Sequence, residues 1–260
     1  MNFRLLETSG PAVFSHGVVA RKFCVHSLLL TVALMTFLAP RTWAHRDDYI
    51  DETFVYQTLG AGEREVELWA EVHAGQDEHP RDWYTGAFEY GITSHWTLDG
   101  AAQWVHNSDG IGFGRFRSET RYRFAEEGRN PLDLAASLEY EVETHRARGD
   151  EAEHVLTPRL VISRDIFPAL NTTLNLDLPV TFSPGGGVQF RYALGVRYPA
   201  EGLLRGGAEF KQAPGNGSAV LFPQIWFALP REITFKAGLG LGLASQDDPL
   251  VGRAVLESEF

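Results

Sequence analysis

A twelve-stranded antiparallel transmembrane β-barrel of the outer-membrane type is the fold class that this sequence predicts. From residue 65 onward nearly every segment alternates apolar and polar residues with period two, and no segment has the 3.6 period of a long amphipathic helix. The alternating segments run about ten residues each, the length with which a tilted strand crosses a bilayer. Aromatic residues gather near the segment ends on the apolar parity, where a water–lipid interface favours them.

The elements follow in order. Residues 1–44 read as a secretory signal peptide. Arg21 and Lys22 precede the apolar run "FCVHSLLLTVALMTFLA", and Thr42 and Ala44 supply small residues at a cleavage site. A membrane anchor is the alternative, but the run lies at the lower limit for spanning. Residues 1–20 look like an upstream stretch from a misplaced start. Residues 45–62, "HRDDYIDETFVYQTLGAG", fall outside the alternation and form either a periplasmic N-terminal segment or a plug folded back into the barrel. The barrel itself is expected over 63–260. Its strands are 65–74, 83–92, 96–106, 115–124, 132–143, 155–164, 170–180, 188–198, 204–212, 219–229, 233–244 and 250–260, with turn signals between them.

An exported chain that enters the barrel from the periplasm sends its odd strands outward. The outward connections are then "GQDEHPRD", "NSDGIGFG", "HRARGDEAE", "TFSPGGG", "APGNGS" and "SQDDP". The inward ones, "TSH", "AEEGRNP", "DIFPA", "PAEG" and "PREI", are mostly shorter, as outer-membrane barrels require. A soluble antiparallel sandwich also alternates. Strand length and the aromatic pattern favour the membrane barrel.

Sorting each strand by parity separates two faces. On the polar parity, the residues expected to line the lumen are Glu67, Glu71, Asp99, Arg115, Arg117, Glu119, Arg121, Arg123, Glu139, Glu141, Arg159, Asp177, Arg191, Arg197, Glu209, Lys236, Arg253 and Glu257. Glu65, Glu89, Asp133, Glu143, Arg205, Lys211 and Glu259 share that parity, as do Trp69, Trp83 and Trp226. Acids and bases nearly balance, which suits ion pairing across the wall. An in-register inward turn would set Arg123 against Asp133, Arg117 against Glu139 and Arg115 against Glu141, with Asp99 against Arg121. On the apolar parity, Tyr84, Tyr90, Trp96, Trp104, Phe116, Phe124, Tyr198, Phe235 and Phe260 are the expected membrane-interface aromatics.

The segments "FEYGITSHWTLDG", "RFRSETRYRF" and "TPRLVISRDI", with the terminal Phe260, resemble Gram-negative outer-membrane barrels of the phenol-degradation MetA-like group of outer-membrane transporters. The resemblance spans most of 63–260. It implies an outer-membrane location and a small solute of hydrophobic or aromatic character, for which Trp69, Trp83 and Trp226 are candidate contacts. The terminal aromatic also resembles the signal read by the barrel-assembly machinery. The residue two before the end, apolar in that family, is Ser258 here.

These observations point to a passive, porin-like channel or transporter for a small solute. A closed structural or interaction barrel without conduction is the alternative, since internal ion pairs can simply hold a wall together. Catalysis has a weaker case. His106 and Ser118 share the lipid-facing parity on neighbouring strands, as in an outer-membrane lipid-modifying hydrolase, but no third group orients the histidine. No metal or cofactor is expected. His45, His73, His79, His95, His106, His145 and His154 lack zinc-type pair spacing, and Cys24, in the leader, is the only cysteine. His45 would head the cleaved chain, where its amine and imidazole could take copper. The acidic pairs Asp77–Glu78, Asp150–Glu151 and Asp247–Asp248 could weakly share divalent cations with lipopolysaccharide. The formal net charge of −11 excludes nucleic acid as a natural partner. Outer-membrane lipids and lipopolysaccharide are the expected surroundings.

Overall fold

The computed structural model describes residues 48–51, 53–74, 81–107, 110–126, 128–144, 152–167, 169–183, 185–245 and 247–260. The expected leader lies outside these residues, as do Cys24, His45, His79, His145 and the acidic pairs at 77–78 and 150–151.

Alternation is realised as strands throughout. They are β1 (Arg64–Ala74), β2 (Arg81–Thr93), β3 (Trp96–Asn107), β4 (Gly110–Arg123), β5 (Asp133–Glu143), β6 (Glu153–Phe167), β7 (Leu170–Asp177), β8 (Val180–Thr181), β9 (Arg191–Tyr198), β10 (Leu204–Ala213), β11 (Ser218–Leu229), β12 (Ile233–Gly242) and β13 (Leu250–Glu259). Each pairs antiparallel with its neighbour, and β13 pairs with β1 from Glu65↔Glu259 to Ala74↔Leu250. The ladder runs on through Phe260, whose N–H donates to the Arg64 carbonyl at 2.8 Å. Closure removes both sheet edges, the condition for strands to survive in lipid. The two-residue β8 continues β7 past Pro179 and pairs with β6, so the ring has twelve staves. Pro179 has no N–H to give the ladder, which explains why the strand expected over 170–180 is broken there.

Three other expectations need correcting. Most of the connection expected at "NSDGIGFG" is strand: Gly110 to Gly114 are part of β4, with a bulge opposite Gln103 and Trp104. Strand β9 begins at Arg191 rather than at residue 188. The register between β4 and β5 is offset by two, so Arg115 faces Glu143, Arg117 faces Glu141 and Arg123 faces Ala135. Asp99 faces Glu119, and Arg121 faces Thr97. An even offset keeps every side chain on its face.

The outward face is an apolar belt. Leu138, Leu160, Leu194, Val196, Ile225, Phe227 and Leu239 are all exposed on it. A soluble protein rarely shows a contiguous apolar patch larger than a few hundred Å², so this belt is a lipid-facing surface. Among the described residues no helix is long and apolar enough to cross a membrane; the crossing is made by strands. Tyr84, Tyr90, Trp96, Trp104, Phe116, Phe124 and Tyr198 are exposed on the belt, and Phe235 and Phe260 are half-buried. Tyr84 and Trp104 are cross-strand partners toward the loop end, while Trp96 and Tyr122 are partners beside the turn Ser94–His95.

Candidate functional site: the lumen and the segment inside it

The inward face carries the charge. Glu67, Glu71, Arg117, Glu119, Arg121, Glu139, Arg159, Arg197, Glu209, Lys236 and Glu257 are buried there. Asp99, Arg115, Arg123, Glu141, Asp177, Arg191 and Arg253 are half-buried on the same parity. All the candidate lumen residues thus share one face. Acids dominate the wall made by β13, β1, β2 and β3, where Glu65, Glu67, Glu71, Glu89, Glu257 and Glu259 are buried. Arginines dominate β4, and acids on β3, β4, β5 and β7 meet them and Arg159 of β6. Arg159 binds Asp177 at 2.8 Å and Glu119 at 3.0 Å, Arg115 binds Glu141 at 3.0 Å, and Arg117 binds Asp99 at 3.2 Å. The last two are diagonal pairs, which long side chains reach although the register is not the expected one.

The lumen is not empty. Residues 48–60 enter from the turn end and lie inside the ring, with Tyr49, Ile50, Thr53, Phe54, Val55, Tyr56 and Leu59 buried. Its described residues form no strand or helix, so their backbone polar groups need partners from elsewhere. The wall's side chains provide them. Asn175 accepts from Phe54 N at 2.8 Å and donates back to its carbonyl at 2.9 Å. Glu209 accepts from Asp51 N at 2.6 Å and Thr53 N at 3.0 Å. Gln224 accepts from Ile50 N at 2.7 Å, Thr97 from Leu59 N at 3.0 Å and Ser163 from Tyr56 N at 3.3 Å.

Apolar residues on the polar parity seat the segment's own apolar side chains. Ile50 packs with Trp69, Phe222 and Val255; Phe54 and Tyr56 pack with Ala135 and Val161; Tyr49 and Val55 pack with Trp226. Fully burying such a side chain contributes roughly 1.5–3 kcal/mol. Of the tryptophans on the polar parity, Trp226 is capped edge-on by Tyr49 at 5.5 Å, and Trp69 lies beside Arg253 and Arg117. Trp83 stacks on His73 at 4.1 Å.

Two carboxylates of the segment complete the contact. Asp48 meets the Arg121 fork, and Asp51 meets Arg253 at 2.9 Å and Lys211 at 3.2 Å. Arg253 also binds Glu71 at 2.8 Å and the Ile50 carbonyl at 2.7 Å. Toward the loop end lies a polar cavity of about 380 Å³ lined by Arg115, Glu141 and Arg191. Its lining includes Arg159, Asn175 and Lys211, the groups that also hold the segment. The cavity and the segment thus share these three wall groups.

The other chemistries have distinct positions. His106 is opposite Ile111 and Ser118 is opposite Gly100. Six residues of strand separate the two levels, about 20 Å, so they are not diagonal neighbours. His106 instead lies 3.5 Å from Asp82. Glu65, Glu67 and Glu257 bring carboxylate oxygens within 4.8 Å of one another. The ammonium of Lys236 sits among them, 3.4 Å from Glu67 and in contact with Glu257, and supplies a cation there. Asp247 accepts from Ser218 and Ala219 N, while Asp248 binds His73 at 2.8 Å.

Sequence reasoning did not single out Asp48, Asp51, Phe54, Thr97, Gln224 or Asn175 as site residues. The available signal was the apolar content of "YIDETFVYQTL", too high for a tail left in water, together with apolar Ala135, Val161 and Val255 on an otherwise polar parity.

No protein-family model matches the sequence, and no curated protein is similar to it in sequence. Solved structures share the fold. The COG4313 outer membrane channel from Pseudomonas putida F1 is similar with a TM-score of 0.56 at 15% identity, over 79% of this chain and 98% of that one. The KdgM porin in complex with disordered oligogalacturonate has a TM-score of 0.55 at 9% identity, over 75% of this chain and 99% of that one. For the NanC porin the values are 0.52 and 8%, over 75% and 97%.

Proposed function

We propose that this chain is a passive outer-membrane channel for a small solute, closed in the conformation seen here by residues 48–60. The observation that carries the reading is the filled lumen: residues of the 48–60 segment lie buried inside the ring, held by Arg159, Asn175 and Lys211, which also line the polar cavity. A segment held by side chains can leave without breaking a strand ladder. That the neighbours in fold are porins and channels supports the reading. The KdgM porin holds an acidic saccharide, and here the cations Arg121, Arg253 and Lys211 around the segment suit an anionic solute. The resemblance to the MetA-like group extends the solute range to molecules with an apolar or aromatic body.

The location belongs to the same proposal. Residues 1–44 direct export, the outward belt sits in outer-membrane lipid and lipopolysaccharide, and the barrel-assembly machinery reads the last strand. The chain acts without enzymatic chemistry. Recovery from the detergent-soluble outer-membrane fraction is expected; recovery in a periplasmic wash would end the membrane reading.

In planar bilayers the purified protein should give discrete ion-conducting steps. Arg191→Glu, which reverses a charge in the cavity wall, should shift the reversal potential in a salt gradient toward cations. The dense hydrogen bonding of residues 48–60 favours a second reading, a permanently closed interaction barrel. Absence of steps and of solute flux, both in the native chain and in Asp48→Asn/Asp51→Asn, would establish that reading instead.

A further inference from the structure

Two groups of the inserted segment meet the wall as a ligand would. The Asp48 carboxylate takes both Nη atoms of Arg121, at 3.2 and 2.7 Å. This is the bidentate geometry a guanidinium offers to a free carboxylate. The Phe54 ring lies against two guanidiniums, with the Arg121 Cζ 4.0 Å and the Arg159 Cζ 4.3 Å from its centroid. A ring face attracts a cation, and this ring has two within 4.3 Å of its centroid. The segment folds back on itself so that the two groups sit together, with Val55 N donating to Asp48 Oδ1 at 2.6 Å.

The wall treats the two arginines differently. Arg159 has wall carboxylates on its guanidinium, from Asp177 and Glu119. The Nη atoms of Arg121 turn to the segment: to Asp48 and to the carbonyls of Val55 and Gln57. Glu119 approaches Arg121 only at Nε, at 3.6 Å. Departure of the segment therefore uncovers a carboxylate-binding fork and a slot lined by two planar cations at the same place. Arg159 also lines the cavity, so a solute entering from the loop end arrives beside this slot.

We propose that the Arg121–Arg159 pair is a binding site for an organic carboxylate. Its carboxylate sits on the Nη atoms of Arg121 and its planar apolar body against the two guanidiniums, where the Phe54 ring now lies. Asp48 and Phe54 occupy that site as built-in stand-ins, and the solute competes with them. The proposal rests on the reading of the lumen as a solute path and names the class of solute. Asp51 on Arg253 and Lys211 is a second carboxylate position. Lys211 lines the cavity, which places this position on the way in.

The test is calorimetric titration of the full chain in detergent with benzoate, acetate and benzylamine. Asp48→Asn/Phe54→Ala vacates the site and leaves the wall intact. It should bind benzoate about tenfold more tightly than the native chain, which must first displace its segment. It should prefer benzoate to acetate, which lacks the planar body, and should not bind benzylamine, which lacks the carboxylate. Adding Arg121→Gln should abolish benzoate binding, with heat-modifiable gel migration checking that the barrel has folded. Arg159→Lys keeps the charge and removes one planar face, so it should weaken benzoate and leave acetate unchanged. A folded double variant that binds no benzoate, or binds acetate or benzylamine equally well, overturns the proposal. If that variant conducts ions but binds no benzoate, the channel reading stands and the site falls. If it binds benzoate with the stated preference but carries no current, the site stands and the channel reading falls.

Discussion

At Gly195 the wall makes room for the segment. A Cβ at this position would lie 2.6 Å from the Tyr49 ring. That ring is buried, packs edge-on against Trp226 and donates its hydroxyl hydrogen to Asn171. Gly195→Ala should push Tyr49 aside and loosen the segment while the β9 ladder stays intact. Limited proteolysis in detergent should then cut within 48–59 faster than in the native chain. Gly100→Ala, where a Cβ meets nothing within 4 Å, should leave the cutting rate unchanged. Asp51→Asn tests a second single contact. It weakens the charge-assisted bonds to Arg253 and Lys211, each type worth about 1.5–3 kcal/mol. A loss of about 1.4 kcal/mol is a tenfold change in an equilibrium, so the open fraction in single-channel records should rise about tenfold. At this scale the sequence showed which face each side chain takes, because parity alone decides it. It did not show the partner of each charge. The β4–β5 ladder runs on to Phe124, whose N–H donates to the Leu134 carbonyl, and in this register Arg115 reaches Glu141 only diagonally.

Among the elements, the strands were legible, and the inserted segment was legible only as one of two alternatives. A strand in this barrel has lipid on one side and polar groups on the other, so its composition reports its environment residue by residue. Leu194, exposed at the middle of β9, is such a position. Leu194→Arg should cost about 2–4 kcal/mol, as expected for a basic residue on the lipid face near the bilayer midplane; urea unfolding from phospholipid vesicles would measure it. Residues 48–60 follow no period because they pair with side chains rather than with a ladder. Their partners are dispersed as well: Thr97 is on β3, Asn175 on β7, Glu209 on β10 and Gln224 on β11. No local pattern connects such positions. Strand β11 illustrates a related point. Phe222 lies over Gly238 and Gly240 of β12, where a Cβ would come within 2.6 and 2.7 Å of its ring. The small residues of β12 thus seat an aromatic inside the barrel, which in turn packs against Ile50 of the segment.

Over the whole molecule, two sets of interactions are separable. Backbone ladders close the ring, and side chains of the inner face hold the segment within it. Loss of the second set need not disturb the first, so the proposed opening requires no unfolding of the barrel. The most direct measurement is single-channel recording, in planar bilayers, of the full chain beside a chain lacking residues 48–59. The native protein should stay closed apart from brief openings, and the shortened one should show longer-lived steps of larger conductance. Indistinguishable records from the two, in barrels shown to be folded by heat-modifiable migration, would contradict the account.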